Sequence, residues 1–269
     1  HDAWIRPYVG GRCRILSTRT VPRVRTGNSG SAGKGAFEWI CRLNPNTGHW
    51  RLRELFSDGT IERADIDLMH FTFQIAFLTR VKNIYHPWDL QHVHLPELFP
   101  ATKRWTRELL YRLFCARACM VAAANKWTRR DLIEHYGLAQ DKVRVVPIAA
   151  VLDAYREPAA GEISAVRERL RLPETFVFYP AQTWPHKNHR RLLEALAWLR
   201  DRRGLIVPLV CSGRKDPAYF SGVESKVLEL GLQDQVSFVG FVSTEELRVL
   251  YRLSRCVVFP SLFEGACLP

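Results

Sequence analysis

Residues 175–202 read "TFVFYPAQTWPHKNHRRLLEALAWLRDR". Thr175 to Ala181 form an apolar run of the kind that makes a strand. Asn188 to Arg202 place Leu192, Leu196 and Leu199 at helical spacing, which predicts a helix packing through those leucines. Between the two lies Lys187. An ammonium beside the free amides and positive dipole end of a helix start is well placed for a diphosphate. The bland alternative is a solvated surface lysine.

Outward from this stretch the strand–helix alternation continues. "LIVPLVCSG" reads as a strand ending at Gly213, "FSGVESKVLELGL" as a helix and "QVSFVGF" as a strand. "STEELRVLYRLS" reads as a helix opened by a capping box of Ser243 and Glu246, and "CVVFPS" as a last strand. Upstream, "ADIDLMHF" (64–71) reads as a buried strand and "VKNIYHP" (81–87) as a short second one. A helix follows over 101–118, with Trp105, Leu109, Leu113 and Ala116 on one face and Lys103, Arg104, Arg107 and Arg117 largely away from it. "CMVAAAN" is the next strand, "WTRRDLIEHYG" a helix ending at Gly137 and "KVRVVPI" a strand. Strands alternating with helices imply α/β architecture with parallel sheets covered on both faces. Residues 150–165 interrupt the rhythm with Pro, Gly and small residues, which sets a domain boundary: 1–150, then 151–269. Ligands of such sheets gather at the carboxyl ends of the strands.

Residues 11–60 are the least readable. "GNSGSAGKG" imitates a phosphate loop, but Asn28 and Gly35 stand where Gly and Ser or Thr are required, so it reads as a mobile loop.

The chain has 269 residues, 47% apolar and 25% charged, which is the composition of a soluble globular protein. No apolar run is long enough to span a bilayer and no signal-peptide pattern opens the chain. The first residue is not Met, so the true start reads as absent. Seven cysteines without CxxC pairs, Cys115 and Cys119 among them four apart on a predicted helix, argue against a disulfide framework or a zinc site. A reduced, cytoplasmic compartment follows. The net charge of +12 points to an anionic partner: nucleic acid, a phosphorylated small molecule or an acidic membrane surface. No helix-turn-helix, RNP or zinc-finger spacing supports the nucleic-acid alternative. The basic face of the helix at 101–118 suggests peripheral contact with an anionic membrane at its inner face.

"YPAQTWPHKNHRRLLEAL", followed by "VSFVGFVSTEELRVLYRLSRCVVFPSLFEG", resembles the carboxyl-terminal domain of GT-B glycosyltransferases of family 4, group 1. "NIYHPWDLQHVHLPELF" resembles the acceptor-side motif of the same family, and the likeness runs over roughly 64–269. The resemblance implies two tandem Rossmann-like domains and a metal-free, retaining transfer of a sugar from a nucleotide diphosphate to an acceptor hydroxyl. GDP-mannose is a candidate donor, and a glycan or lipid-linked molecule the acceptor. No cofactor is implied beyond that donor substrate. Lys187 and Asn188, with Arg214 as a weaker partner, would meet the diphosphate. Glu264 would be the first acid of the E-x7-E motif and bond the sugar hydroxyls, with the backbone of Gly265, Ala266, Cys267 and Leu268 close by. Gly213, Phe241 and Val242 would hold the base. The family usually reads "EGFGLP"; Ala266 and Cys267 depart from it. On the acceptor side Trp88 stands where relatives carry a histidine and Asp89 is retained; either His86, two residues upstream, substitutes for that histidine or this subgroup dispenses with it. His92 and His94 read as structural.

The second acid would fall three residues past Pro269, and the family's amino-terminal glycine-rich loop is not visible. The chain therefore reads as a fragment cut within its active-site motif, with an inactive or binding-only remnant as the alternative.

Overall fold

A computed structural model describes residues 55–64, 66–148 and 156–266. The chain divides into two compact units, His1–Pro147 and Ile148–Pro269.

In the first unit, β1 (Leu68–Phe71), β2 (Lys82–Tyr85), β3 (Met120–Ala123) and β4 (Val143–Val145) form a parallel sheet in that order. Helices α1 (Ala101–Arg117) and α2 (Lys126–Tyr136) join β2 to β3 and β3 to β4. The core gathers Tyr85, Leu90, Phe114, Cys115, Val121, Leu132 and Val143, all nearly inaccessible. Asn125 caps α2 by accepting from Thr128 N at 2.8 Å, and Gly137 ends it in the left-handed region.

In the second unit the order is β7–β6–β5–β8, again all parallel: Val236–Gly240, Leu209–Ser212, Val177–Pro180 and Cys256–Val257. Helices α3 (Ala160–Arg169), α4 (His189–Arg203), α5 (Phe220–Glu229) and α6 (Thr244–Leu253) cover it. One face packs Leu193, Leu196 and Ala197 of α4 with Val223 and Val227 of α5 against Tyr179, Leu209 and Cys211. The other packs Val166 of α3 and Val249 and Leu250 of α6 against Phe176, Phe178 and Val210. Each buried leucine here contributes about 1.5–3 kcal/mol. The Ser243–Glu246 capping box forms in both directions, with Glu246 N donating to Ser243 Oγ at 3.2 Å and Ser243 N to Glu246 Oε2 at 2.9 Å.

Several local expectations are corrected. The stretch 64–71 is not a buried strand: β1 spans four residues, stands first in the sheet among the described residues, and buries only Phe71. On α1 the face carrying Trp105 and Leu109 points outward, with 69% and 67% exposure, while Tyr111, Phe114 and Cys115 turn to the core. Tyr111 and Phe114 set their rings edge-on to Tyr85 of β2, with centroids 6.2 and 5.4 Å away, which anchors that second face to the sheet. Arg107 turns inward with them: its guanidinium lies 5.5 Å from the Phe99 ring and 4.9 Å from the Tyr111 ring. Cys119 lies beyond the end of α1, with its Sγ 3.0 Å from Asn83 O. On α4 the buried face centres on Leu193, Leu196 and Ala197; Leu192 is at its margin and Leu199 outside it. Residues 160–165, read as part of a boundary, belong to α3, whose start is held by Ala159 N donating to Glu162 Oε2 at 2.8 Å. The strand read over 205–213 shortens to four residues, and Leu205 and Ile206 are exposed.

The phosphate-loop look-alike near Lys34 lies outside the described residues, as do Cys267 and Leu268. Among the described residues, no helix is long and apolar enough to cross a membrane.

Candidate functional site

Strand β5 has β6, the next strand in sequence, on one side and β8, the last, on the other, so the strand order reverses at β5, a topological switch point. In open α/β sheets that is where a crevice opens at the carboxyl ends. The loop after β5 is "AQTWPHKN"; the loop after β8 contains "FPSLFEGA".

These two loops are stitched together. Leu262 N donates to His186 O at 2.8 Å, and Asn188 Nδ2 donates to Pro260 O at 3.0 Å. Tyr179 Oη, at the end of β5, donates to Lys187 O at 2.6 Å and lies 3.5 Å from Ser261 Oγ. Lys187 Nζ donates to Glu264 Oε1 at 2.5 Å, the two side chains being 21% and 24% exposed. Asn188 sits at φ 59°, ψ 36°, a left-handed conformation that Asn tolerates better than most residues, and turns the chain from this loop into α4.

The loop after β6 closes against the same region. Gly213, at φ 128°, is pressed so closely on the end of β5 that a Cβ there would lie 2.5 Å from Ala181 O. Its N–H donates to Gly240 O at 2.7 Å, joining the ends of β6 and β7. Buried Thr183 accepts at Oγ1 from Asp216 N at 2.8 Å, and its own N–H donates to Arg214 O at 3.2 Å. Arg214 is exposed. Phe241, just past β7, is 86% exposed, whereas Val242 packs into the core beside α6. The second unit thus brings Lys187, Asn188 and Glu264 together where the loops after β5 and β8 meet, and Gly213 against the end of β5; Gly265 is buried and Ala266 partly buried.

Sequence reasoning passed over His189, the first residue of α4. Its ring lies 4.8 Å from Tyr179 and 6.2 Å from Phe238, both ring nitrogens are buried without a hydrogen-bond partner, and burial, helped by the Lys187 charge, lowers its pKa to about 4. It is a neutral imidazole under the site floor. Tyr179 and Thr183 were likewise hidden inside an apolar strand and an unremarkable loop. The sequence signal was their position, at the last residues before the switch-point loops.

In the first unit, His86 is buried and stacks on Trp88 with centroids 4.8 Å apart and planes 4° from parallel. Burial, reinforced by His70, holds the His86 pKa below its ordinary value, and Nε2 is buried without a partner. Trp88 is held at φ 71°, an unfavourable backbone for an aromatic residue, with its Nε1 donating to Thr72 O at 2.9 Å. Asp89 Oδ1 accepts from Arg107 at 2.9 Å and from Gln91 N at 3.0 Å, so its carboxylate holds the start of the helical turn Gln91–His94. His92 bonds Glu108 at 3.0 Å, and burial, followed by the nearby Arg107 charge, lowers its pKa to about 4. A cavity of about 670 Å³ lined by Lys126, Arg129, Arg130 and Glu134 contains none of the sequence-predicted residues.

Residues 162–269 match the family model of glycosyl transferases group 1. Over 159 residues the chain is 29% identical to the serotype-specific mannosyltransferase WbdA of Escherichia coli, covering 57% of this chain and 19% of that protein. Over 230 residues it is 25% identical to the O-antigen chain mannosyltransferase B of Escherichia coli, covering 84% of this chain and 57% of that one. The chain therefore spans less than two thirds of the length of these relatives. Among solved structures, that of Anabaena Alr3699/HepE in complex with UDP and glucose superposes with a TM-score of 0.58 at 20% identity, over 75% of this chain and 54% of that one. That likeness supports the GT-B fold class of two parallel α/β units.

Proposed function

We propose that the chain is the donor- and acceptor-side portion of a retaining glycosyltransferase that uses a nucleotide-diphosphate sugar. The observation that carries this reading is the Lys187–Glu264 pair at the switch point, on the segment that matches glycosyl transferases group 1. Without a donor, ammonium and carboxylate neutralise each other. A diphosphate arriving at the α4 start competes for Lys187, and the released Glu264 carboxylate is free to accept from sugar hydroxyls. As the glycosidic bond breaks, negative charge grows on the leaving diphosphate, and Lys187 with the α4 amides stabilises it there. The sugar passes through an oxocarbenium-like state and is attacked on the face the leaving group vacates. The exposed ring of Phe241 offers a surface for the base.

Mannose is the favoured sugar because the relatives WbdA and mannosyltransferase B are named mannosyltransferases. A glycan or lipid-linked acceptor fits the exposed Trp105 and Leu109 of α1, which with Arg104 form an amphipathic surface suited to an anionic bilayer. His86 and Asp89 serve the acceptor side, Asp89 by positioning the turn Gln91–His94.

The test is titration of the chain with GDP-mannose, UDP-glucose and free mannose. Binding of one nucleotide sugar, weakened about tenfold or more in Lys187→Ala, is expected. Failure of every nucleotide sugar to bind a folded chain overturns the reading.

A further inference from the structure

The geometry points to a divalent transition-metal site of the zinc class in the first unit, formed by His94, Asp131 and His135. Asp131 and His135 are four residues apart on α2 and so share one face of that helix. His94 closes the turn Gln91–His94. Asp131 Oδ1 lies 2.8 Å from His94 Nε2 and 3.2 Å from His135 Nε2, and the three potential ligand atoms lie within 4.8 Å of one another.

The carboxylate carries the second observation. The Asp131 side chain is only 5% exposed, yet its other oxygen, Oδ2, is buried with no hydrogen-bond partner. A buried acceptor left unmade is costly, and an unsatisfied carboxylate oxygen more so. A cation held by both carboxylate oxygens would satisfy it, and two neutral imidazoles beside a carboxylate are a donor set that zinc accepts.

Zinc bonds to imidazole nitrogen and carboxylate oxygen of about 2.0–2.2 Å place neighbouring tetrahedral ligand atoms about 3.3 Å apart. The two Asp131–His separations are already within about half an ångström of that, so modest rotations of the two rings complete the set. Coordination through Nε2 leaves the ring proton on Nδ1, so each histidine binds neutral. Both carboxylate oxygens and the two imidazoles supply four donor atoms, and a water can add a fifth. The side chains of His94 and His135 are 29% and 39% exposed, which gives the ion a path from solvent. Arg112, a nearby cation, spends its guanidinium on Glu108 and on the His135 carbonyl. The metal would pin the turn that Asp89 starts onto α2. It acts through that turn and has no part in the donor chemistry, so the site stands or falls independently of the proposed transferase reading.

The experiment is equilibrium dialysis of the whole chain against zinc alone, and against cobalt for its absorption spectrum. One zinc per chain is expected at micromolar concentration, with a rise in melting temperature and cobalt d–d bands lacking thiolate charge transfer. His135→Gln and His94→Gln, both at exposed side chains, should each weaken zinc binding at least tenfold while leaving the circular dichroism unchanged. Zinc binding unaffected by either substitution, a thiolate spectrum, or no zinc retained at micromolar concentration overturns the proposal.

Discussion

Lys187 and Glu264, 77 residues apart in sequence, meet at 2.5 Å between the loops that follow β5 and β8. The pair is only partly buried, so it adds little to stability; its weight lies in which partner Lys187 keeps when a diphosphate competes. Lys187→Ala should weaken nucleoside diphosphate binding by about 1.5–3 kcal/mol, the value of one charge-assisted contact. Glu264→Gln should do the reverse for the bare diphosphate, tightening it by removing the competitor, while erasing discrimination between sugars. Calorimetric titration of both variants checks this; equal affinities for wild type and Lys187→Ala count against the assignment.

Gly213 is fixed by two independent constraints, a φ of 128° and the carbonyl of Ala181 2.5 Å from where a Cβ would sit. Gly213→Ala should therefore cost about 2–4 kcal/mol of stability, because backbone must move against backbone. Urea denaturation measures it. A loss under 1 kcal/mol, on the order of an ordinary surface change, would show that the β5 and β6 ends are not packed as described.

Asp89 and Arg107 are paired with side chains 20% and 15% exposed. Asp89→Ala leaves the inward-turned guanidinium without its carboxylate and should destabilise the chain by about 2–4 kcal/mol. Asp89→Asn, which keeps the acceptor for Gln91 N, should cost less. Thermal melts of the two variants separate the charge from the hydrogen bond, and equal melts would assign Asp89 no positioning role.

Two buried histidines set an acid limit. His189 and His92 have folded-state pKa values of about 4, below the ordinary 6.5, so the unfolded chain binds protons more readily than the folded one. Stability from these groups is present above pH 6.5 and is lost as pH falls from there towards 4. Melting temperature should drop across that window, and His189→Leu, which cannot be protonated, should flatten part of the slope. An unchanged slope in that variant would remove His189 from the account.

Trp105→Ser combined with Leu109→Ser removes two exposed apolar groups from α1 without touching its core face. Co-sedimentation with anionic vesicles at low salt should fall several-fold while neutral vesicles show little binding to begin with. Identical sedimentation of both proteins would show that α1 makes no membrane contact.

The β5–loop–α4 segment was legible because strand, loop and helix each announce themselves locally: an apolar run, a Pro–Lys–Asn break, leucines at helical spacing. The Ser243–Glu246 box was legible for the same reason. Helix α1 was misread because it is apolar on more than one side, and periodicity alone does not rank Trp105 and Leu109 against Tyr111 and Phe114. Helix α3 was missed since Ala, Gly and a preceding Pro look like a linker until Val166 is seen against Phe176 and Phe178. The meeting of His94 with Asp131 and His135 depends on how the turn after β2 lies along α2, a tertiary fact that no spacing encodes.

Strand β8 is held to β5 by only two register pairs, Val177 with Cys256 and Phe178 with Val257. The placement of Glu264 rests on that short ladder and on the few loop bonds beyond it, Leu262 N to His186 O and Asn188 Nδ2 to Pro260 O. A strand so briefly paired should open more often than the rest of its sheet, and each opening dismantles half the crevice while the remainder of the unit stays folded. Ligand affinity then contains a docking equilibrium, so substitutions at Cys256 or Val257, far from any bound group, should change apparent affinity in step with amide exchange at Val258.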